Sequence, residues 1–248
     1  MADVGELICT SEQDPTELAE ALAARDNFIS AVSHELRNTV APLILLAEQF
    51  EAMGASMSPD QLTTKIALLT RNLHKFVATV DRVTEVAQLR DGKLELEIND
   101  VDFAEVVSIV VGQQQRHAAA GGVELVVRTP ISLFGRWDRG RLAQITTNLV
   151  TNAVRFGIGG EVEIDVIDRG SDAELVVRDH GAGLASADLR GIFDRFDHRR
   201  SRTSGGFGVG LFIVKTLAEA MGGRAIAANA PGGGARFSVM LPRGSMRG

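Results

Sequence analysis

The positions of apolar residues predict two long helical stretches in the first third of the chain. From Leu18 to Met53, apolar residues recur at alternating steps of four and three, and only Arg25 and Thr39 interrupt the series. A second series with the same spacing runs from Leu62 to Ala87. This spacing is a heptad pattern, so it predicts two helices that each carry an apolar seam.

The segment between the two series is typical of a turn. Gly54 to Asp60 contains Gly and Ser-Pro, with Ser58 as a helix N-cap and Pro59 in the first turn of the next helix. We therefore expect an antiparallel helical hairpin. Two helices cannot bury both seams well by themselves, so the preferred interpretation is a dimeric four-helix bundle. The alternative is a monomeric hairpin that packs on the rest of the chain.

After Leu89 the pattern of apolar residues changes. Leu94, Leu96 and Ile98 alternate with polar residues, which is the period of two expected of a strand. Mixed helices and mostly antiparallel strands follow, and they predict an α/β sandwich with its helices on one face. We therefore assign the chain to the α+β class. The predicted helices lie at about 103–119, 139–156 and 209–221, and the predicted strands at 123–127, 162–167, 174–177, 225–228 and 235–241.

Composition and charge narrow the classes of function. The chain has 248 residues with 45% hydrophobic and 23% charged residues, which is ordinary for a folded globular protein. Its net charge of -6 argues against nucleic acid as a partner. Cys9 is the single cysteine, and the longest apolar runs are about as short as Val106 to Val111, so we expect a cytoplasmic protein without a membrane segment.

Ser33 to Asn38 form the first block with candidate chemistry. At about 100° per residue, His34 lies about 200° from Val32 and Leu36, so it points away from the seam and towards solvent. An imidazole with a pKa near ~6.5 is largely neutral at cytosolic pH and offers a lone pair for attack on phosphorus. Glu35 could accept the proton of the other ring nitrogen. A lone histidine on a helix is usually only a solvated side chain.

Asn148 to Phe156 form a second block, on a predicted helix. Asn148 and Asn152 are four residues apart and therefore share one face, and Arg155 follows three residues later. An amide oxygen together with phosphate oxygens is a suitable ligand set for Mg²⁺. Taken alone, these residues could equally decorate an exposed helix.

Two glycine-rich blocks follow, and each is a weak signal by itself. Asp179-His180-Gly181-Ala182-Gly183 comes directly after a strand. A buried carboxylate there could accept a hydrogen bond from an amino group, and the two glycines would let the backbone come close to a flat ring. Gly206, Gly208 and Gly210 lead into Leu211 and a helix N-terminus, which suits phosphate oxygens. The Walker lysine-serine pair is missing, and no βαβ unit follows as a Rossmann turn would require.

In this order, the four blocks resemble the H, N, G1 and G2 boxes of sensor histidine kinases, a family with a GHKL-type ATP-binding domain of the Bergerat type. The resemblance covers roughly nine-tenths of the chain. It implies that His34 accepts the γ-phosphoryl group of ATP, that Glu35 is the base, and that Asn38 orients a water in dephosphorylation of a response regulator. Thr39 departs from the family, which commonly has proline there, and Pro42 comes three residues later.

The same resemblance assigns the nucleotide site. It implies that Asn152 binds Mg²⁺, that Asn148 lies beside the phosphates, and that Arg155 replaces the usual lysine. Asp179 would read the adenine amino group, which makes ATP the expected nucleotide. Ile192 to Phe196 are similar to the family's F box, and residues 197–204 have the composition of a lid. The full set of expected nucleotide-binding residues is Asn148, Asn152, Arg155, Phe156, Asp179, Gly181, Gly183, Gly206, Gly208, Gly210 and Leu211.

The resemblance thus implies a homodimeric protein-histidine kinase that uses Mg-ATP and passes a phosphoryl group to an aspartate of a response regulator. It also implies that the kinase acts as the phosphatase of that regulator. Residues 1–16 would be an N-terminal segment, 17–91 a dimerisation and phosphotransfer domain, and 92–245 a catalytic domain. The signal could come from a separate sensor protein. There are two rival interpretations. One is another ATPase of the same nucleotide fold, and the His34 block argues against it. The other is a phosphotransfer scaffold with a degenerate nucleotide site, and intact Asn152 and Asp179 argue against that.

Overall fold

A computed structural model describes residues 15–53, 56–90, 94–157, 160–186, 189, 191–193 and 210–244. Side chains are described from Ile29 onward, except those of Ala31, His34, Glu35, Arg82 and residues 85–90. Gly206, Gly208, residues 1–14 and the proposed lid at 197–204 therefore lie outside the described residues. The same holds for residues 194–196 of the block that resembles the F box.

The two heptad series form the predicted helical hairpin. Helix α1 runs over Pro15–Met53 and helix α2 over Pro59–Arg90, and the two helices contact each other. Ser58 caps α2 as predicted: the Gln61 amide donates to Ser58 Oγ at 3.3 Å, and the Ser58 amide donates to Gln61 Oε1 at 3.0 Å. This reciprocal pair is a capping box, which fixes where α2 begins.

Thr39 does not interrupt the seam of α1, which corrects the sequence interpretation. Its side chain is buried with 3% exposure, as is that of Thr79 on α2 with 6%. Each hydroxyl bonds a carbonyl of its own helix: Thr39 Oγ1 donates to the Leu36 oxygen at 3.0 Å, and Thr79 Oγ1 to the Lys75 oxygen at 2.9 Å. Because the hydroxyls are satisfied locally, the threonines can take the place of apolar residues between the helices.

The second part of the chain is built on a mixed sheet. Its elements are β1 Ile98–Asp102, α3 Phe103–Ala120, β2 Glu124–Arg128, β3 Phe134–Asp138, α4 Arg139–Phe156, β4 Glu161–Asp168, β5 Asp172–Asp179, α5 Gly210–Ala220, β6 Arg224–Asn229 and β7 Ala235–Pro242. The order of the five strands in the sheet is β2-β4-β5-β7-β6, and every neighbouring pair is antiparallel except β2 with β4. Strands β1 and β3 form a separate antiparallel pair. Helices α3, α4 and α5 contact the sheet.

The helices cover one face of this sheet, as the sequence predicts. The inward-facing side chains Ile164, Val177 and Val239 are fully buried in the core. The opposite face carries ion pairs, such as those of Glu174 with Arg169 and Arg236 at 2.7 and 3.2 Å. A sheet with one apolar and one charged face is consistent with an α/β sandwich of two layers.

Two strand assignments differ from the sequence prediction. The strand expected from Leu94 begins only at Ile98, because Ile98 pairs with Asp138, the last residue of β3, and earlier residues have no strand to pair with. The Asp138 side chain instead accepts a hydrogen bond from the Glu97 amide at 3.0 Å. Strand β3 itself was not predicted, since five residues that include Gly135 and Arg136 show no clear alternation.

Candidate nucleotide site

Helix α4 positions the block of asparagines. Its N-cap is Asp138, whose Oδ1 accepts from the Arg141 amide at 3.0 Å. The helix buries Leu142, Ile145 and Leu149 against the core. Asn148 and Asn152 are half-buried. The helix ends at Phe156, beside the end of β5: a Cβ on Gly157, the next residue, would stand 3.3 Å from Asp179 Cβ.

A cavity of about 360 Å³ lies between the end of α4, the segment that follows β5 and the start of β7. Five of the nucleotide-binding residues expected from the sequence line this cavity, although they come from two separate segments of the chain. The cavity is lined by Asn152, Phe156, Asp179, Gly181, Ala182, Gly183, Leu184, Ala235 and Phe237. Its mixture of apolar surface and a few polar groups is typical of a small-molecule site.

Asp179 is the buried carboxylate of this cavity, with 3% exposure. Its Oδ1 accepts hydrogen bonds from the Gly181 amide at 2.9 Å and the Ala235 amide at 3.1 Å. Among the described residues, Asp179 Oδ2 accepts no hydrogen bond. Since Asp179 lines the cavity, its Oδ2 can receive a donor from a ligand there.

Two glycines are required by the packing around the cavity. A Cβ on Gly181 would lie 2.3 Å from the Phe156 carbonyl oxygen, so the end of α4 and the segment after β5 approach each other too closely for any side chain. Gly183 has φ +73, and a Cβ there would lie 2.9 Å from Asn229 Oδ1. The glycines therefore serve contacts within the protein as well as access for a ligand.

The start of helix α5 lies against the asparagine block. A Cβ on Gly210 would stand 3.4 Å from Asn148 Oδ1, so the structure brings these two predicted residues together. Leu211 is half-buried and packs against the core, which anchors the first turn of α5. A helix N-terminus favours anions, so phosphate oxygens could be bound beside Asn148.

Arg155 is exposed on the last turn of α4. Its guanidinium carbon lies 5.6 Å from the centre of the Phe156 ring, within the range of a cation–π contact. Since Phe156 lines the cavity, this contact holds the positive charge of Arg155 close to the cavity's edge.

The histidine block lies on α1 and does not belong to this cavity. His34, Glu35 and Asn38 are in the helix, as predicted, and Asn38 is exposed. The side chains of His34 and Glu35 are outside the described residues.

Among the described residues, no group of three or more His, Cys, Asp or Glu side chains could hold a metal ion. No helix in the described ranges has the length and apolar character needed to cross a bilayer.

His180 joins an ion cluster on the outer face of the sheet. Its Nε2 lies 3.0 Å from Glu163 Oε1, and Arg128 and Arg178 approach the same carboxylate at 2.8 and 3.2 Å. The hydrogen bond from Arg128, with smaller contributions from His180 and Arg178, lowers the pKa of Glu163. The cluster thus ties the residue after Asp179 to strand β4.

Four cavity residues were missed by the sequence analysis, namely Ala182, Leu184, Ala235 and Phe237. Asn229 was also missed, although its side chain bonds the backbone of Leu184. Apolar residues in a strand carry no mark of a ligand site. The only available signal was the run Gly232 to Gly234, which indicates a tight turn beside Ala235.

The α/β part is similar to a known family of ATPases. Residues 137–245 match the family model of the Histidine kinase-, DNA gyrase B-, and HSP90-like ATPase. The chain is 30% identical over 233 residues to the sensor-like histidine kinase SenX3 of Mycolicibacterium smegmatis, and the alignment covers 92% of this chain and 60% of SenX3. The chain therefore spans about three-fifths of the length of this relative.

Two solved structures share the fold of the chain. The Acinetobacter baumannii histidine kinase AdeS superimposes with a TM-score of 0.69 at 21% identity, over 86% of this chain and 98% of AdeS. Full-length ShkA in complex with AMPPNP superimposes with a TM-score of 0.66 at 26% identity, over 88% of this chain and 46% of ShkA. Over 92% of its length the chain is similar to a sensor-like histidine kinase, and its residues 137–245 match the ATPase family model.

Proposed function

We propose that this chain is a protein-histidine kinase that binds Mg-ATP in the cavity, phosphorylates His34 and passes the phosphoryl group to an aspartate of a response regulator. The observation that carries this proposal is the cavity itself, which unites Asn152, Phe156 and Asp179 in one chain with a histidine block on a helical hairpin. The similarity to SenX3 over 92% of the chain includes both parts.

The nucleotide would be held by groups that the cavity already presents. Asp179 Oδ2 would accept a hydrogen bond from the adenine amino group, since Oδ1 is engaged by two backbone amides. The donor chemistry fits Mg²⁺, because the Asn152 side chain offers an amide oxygen in the cavity and Mg²⁺ commonly combines one or two protein oxygens with phosphates and water. Bound there, Mg²⁺ would offset negative charge on the phosphates.

The transfer step uses the chain's own nucleophile. A neutral ring nitrogen of His34 attacks the γ-phosphorus in line, the bond to the bridging oxygen breaks, and ADP leaves with that electron pair. Glu35 takes the proton of the other ring nitrogen. Arg155 and the amides at the start of α5 offset charge on the phosphoryl group as it moves. The phosphohistidine then gives its phosphoryl group to a carboxylate oxygen of the regulator's aspartate, the ring nitrogen keeps the electron pair of the broken bond, and Glu35 returns its proton to the ring.

The hairpin would act as a homodimer in a four-helix bundle. On α2, Leu69, Phe76 and Val83 are half-buried, and Val83 packs against the core of the α/β part. A second apolar stripe lies beside them, and its members fall within about 60° of one another at 100° per residue. This stripe is exposed by 38–51% and consists of Leu62, Ile66, Leu73, Val77 and Val80. A second copy of the hairpin is the partner with matching apolar stripes.

Residues 17–91 would form the dimerisation and phosphotransfer domain and residues 92–245 the catalytic domain. Asn38 is exposed one turn after His34 and would orient a water against the phosphoaspartate of the regulator. Asn38→Ala should therefore lower phosphatase activity more than autophosphorylation. A separate sensor protein would supply the signal.

The proposed function is tested by Mg-ATP binding and labelling in matched variants. Asn152→Ala should lose most Mg²⁺-dependent binding by calorimetry and most labelling from γ-labelled ATP. Asn99→Ala is the control, since Asn99 is an exposed asparagine on β1 whose side chain, within the described ranges, donates only to the nearby Glu97 carbonyl, at 3.1 Å. Full-strength binding by Asn152→Ala would contradict the site, and a wild-type chain that hydrolyses ATP without becoming labelled would favour the rival ATPase interpretation.

A further inference from the structure

The turn between β6 and β7 is attached to the segment that follows Asp179. Asn229, the last residue of β6, donates from Nδ2 to the Leu184 carbonyl at 2.8 Å and accepts the Leu184 amide on Oδ1 at 2.7 Å. These two bonds join residues 45 apart in the chain. A side-chain amide that pairs with both backbone groups of one residue fixes that residue's position and orientation.

Other contacts support the same junction. Asn229 pairs with Ala235 at the mouth of the β6–β7 hairpin, and the Ala235 amide bonds Asp179 Oδ1 at 3.1 Å. Arg178 donates to the Pro231 carbonyl at 2.9 Å. Residues 179 and 184 are thus both held by one hairpin, so the segment between them has two fixed ends.

The close approach of Asn229 also explains a glycine. A Cβ on Gly183 would stand 2.9 Å from Asn229 Oδ1, and the φ of Gly183 is +73. Any side chain at 183 would therefore meet Asn229 and strain the backbone. Gly183 is a glycine here at least in part because Asn229 must reach Leu184.

We propose that Asn229 is a positioning residue for the nucleotide: it does not line the cavity, but it holds Leu184 and Gly183, which do, in the arrangement that receives the adenine ring. This inference rests on the proposed function. Since Asp179 and the 179–184 segment would contact the base and not the phosphates, loss of the bonds from Asn229 should weaken ATP binding and leave the phosphoryl-transfer rate at saturating ATP unchanged.

The test uses the full chain with two variants and a control. Asn229→Ala removes both bonds and should raise the Kd for Mg-ATP about tenfold, as expected when two partly buried hydrogen bonds that hold the segment are lost. Asn229→Asp has the same shape and keeps the acceptor, but it sets a carboxylate oxygen against the Leu184 carbonyl oxygen in place of the donor, so its Kd should also rise. Asn99→Ala should bind as the wild type does. Amide hydrogen exchange of Leu184 in the ligand-free protein should be faster in Asn229→Ala only.

Each result decides between positioning and mere support of the fold. A raised Kd, faster exchange at Leu184 and an unchanged rate at saturating ATP support the proposal. An unchanged Kd overturns it, as does a rate at saturation that falls in step with the folded fraction. A wild-type chain that binds no ATP would contradict the proposed function, and the exchange rate of Leu184 would then still report whether Asn229 holds this segment.

Discussion

Asp179 shows how one buried carboxylate can serve the fold and a ligand at once. Oδ1 accepts two backbone amides and fixes the turn after β5, while Oδ2 accepts nothing from the described residues. The two oxygens therefore have separate tasks. A substitution that keeps the first task and reverses the second isolates the contribution to nucleotide binding.

Asp179→Asn is that substitution. Its remaining oxygen can still accept the two amides, but its NH₂ group would face the adenine amino group, donor against donor. We expect ATP affinity to fall by about tenfold or more, since an unsatisfied buried polar group costs on the order of 1–3 kcal/mol. Calorimetry gives the Kd. Asp100→Asn, at an exposed position on β1, is the control and should leave the Kd unchanged. Equal affinities for Asp179→Asn and wild type would contradict the assigned role of Oδ2.

Gly181 offers a second test at the scale of one residue. In Gly181→Ala the new Cβ would stand 2.3 Å from the Phe156 carbonyl oxygen, so backbone must move. We expect the free energy of unfolding in urea to fall by about 1–3 kcal/mol, as for other overpacked sites. Gly112→Ala, in helix α3 with no atom within 4 Å of its new Cβ, should be neutral or stabilising. If both variants were equally stable, the close approach would be wrong.

Strands β4 and β5 are held together on the outer face of the sheet by the cluster around Glu163. Because the pKa of Glu163 is lowered in the folded protein, its ionised form stabilises the fold at pH values above the usual glutamate pKa. This stabilisation is lost as the pH falls through the lowered pKa. The cluster also reaches His180, directly after Asp179.

Glu163→Gln should therefore be less stable than the wild type at neutral pH, and the difference should shrink as the pH falls through the lowered pKa of Glu163. Urea denaturation at several pH values measures it. Glu161→Gln is the control, since Glu161 lies at the limit of contact with Arg128, at 4.0 Å, and its side chain is 44% exposed. A difference that is constant with pH would show that the charge of Glu163 does not stabilise these strands.

The elements that the sequence predicted well are those with a sustained period. Helices α3 and α4 and strands β4 to β7 lie within a few residues of the predicted bounds, because each packs one regular face on the core. Strand β3 was missed because its inward residue Gly135 is a glycine that makes room for Trp137: a Cβ there would lie 2.4 Å from the ring. Because a glycine stands at this inward position where an apolar side chain would be expected, the strand does not show the alternation of apolar and polar residues.

At the scale of the whole molecule, the four motif blocks predicted the cavity residues on α4 and after β5 but not their partners on β6 and β7. The Asn229 side chain bonds the backbone of Leu184, 45 residues away in the chain, and no sequence pattern indicates such a pairing. Ala235 and Phe237 belong to an ordinary strand pattern. Residues whose role depends on tertiary contact could be found only from the structure.

The exposed stripe of α2 tests the proposed dimer. Leu73→Glu places a charge on this stripe and should shift the chain towards monomer in light scattering at micromolar concentration. Leu68→Glu is the matched control. Leu68 is 40% exposed, but lies about 200° from Ile66 around the helix and so is off the stripe. A wild-type chain that is monomeric at this concentration would remove the four-helix bundle from the account.

The central claim is that His34 receives the γ-phosphoryl group of ATP, and covalent labelling tests it most directly. The wild type, His34→Ala and His74→Ala are each incubated with γ-labelled ATP and Mg²⁺, and the label is then exposed to acid and to alkali. His74 is an exposed histidine on the other helix of the hairpin and serves as the control. We expect an acid-labile, alkali-stable label on the wild type and on His74→Ala, and none on His34→Ala. A label that persists on His34→Ala, or that resists acid, would contradict the account.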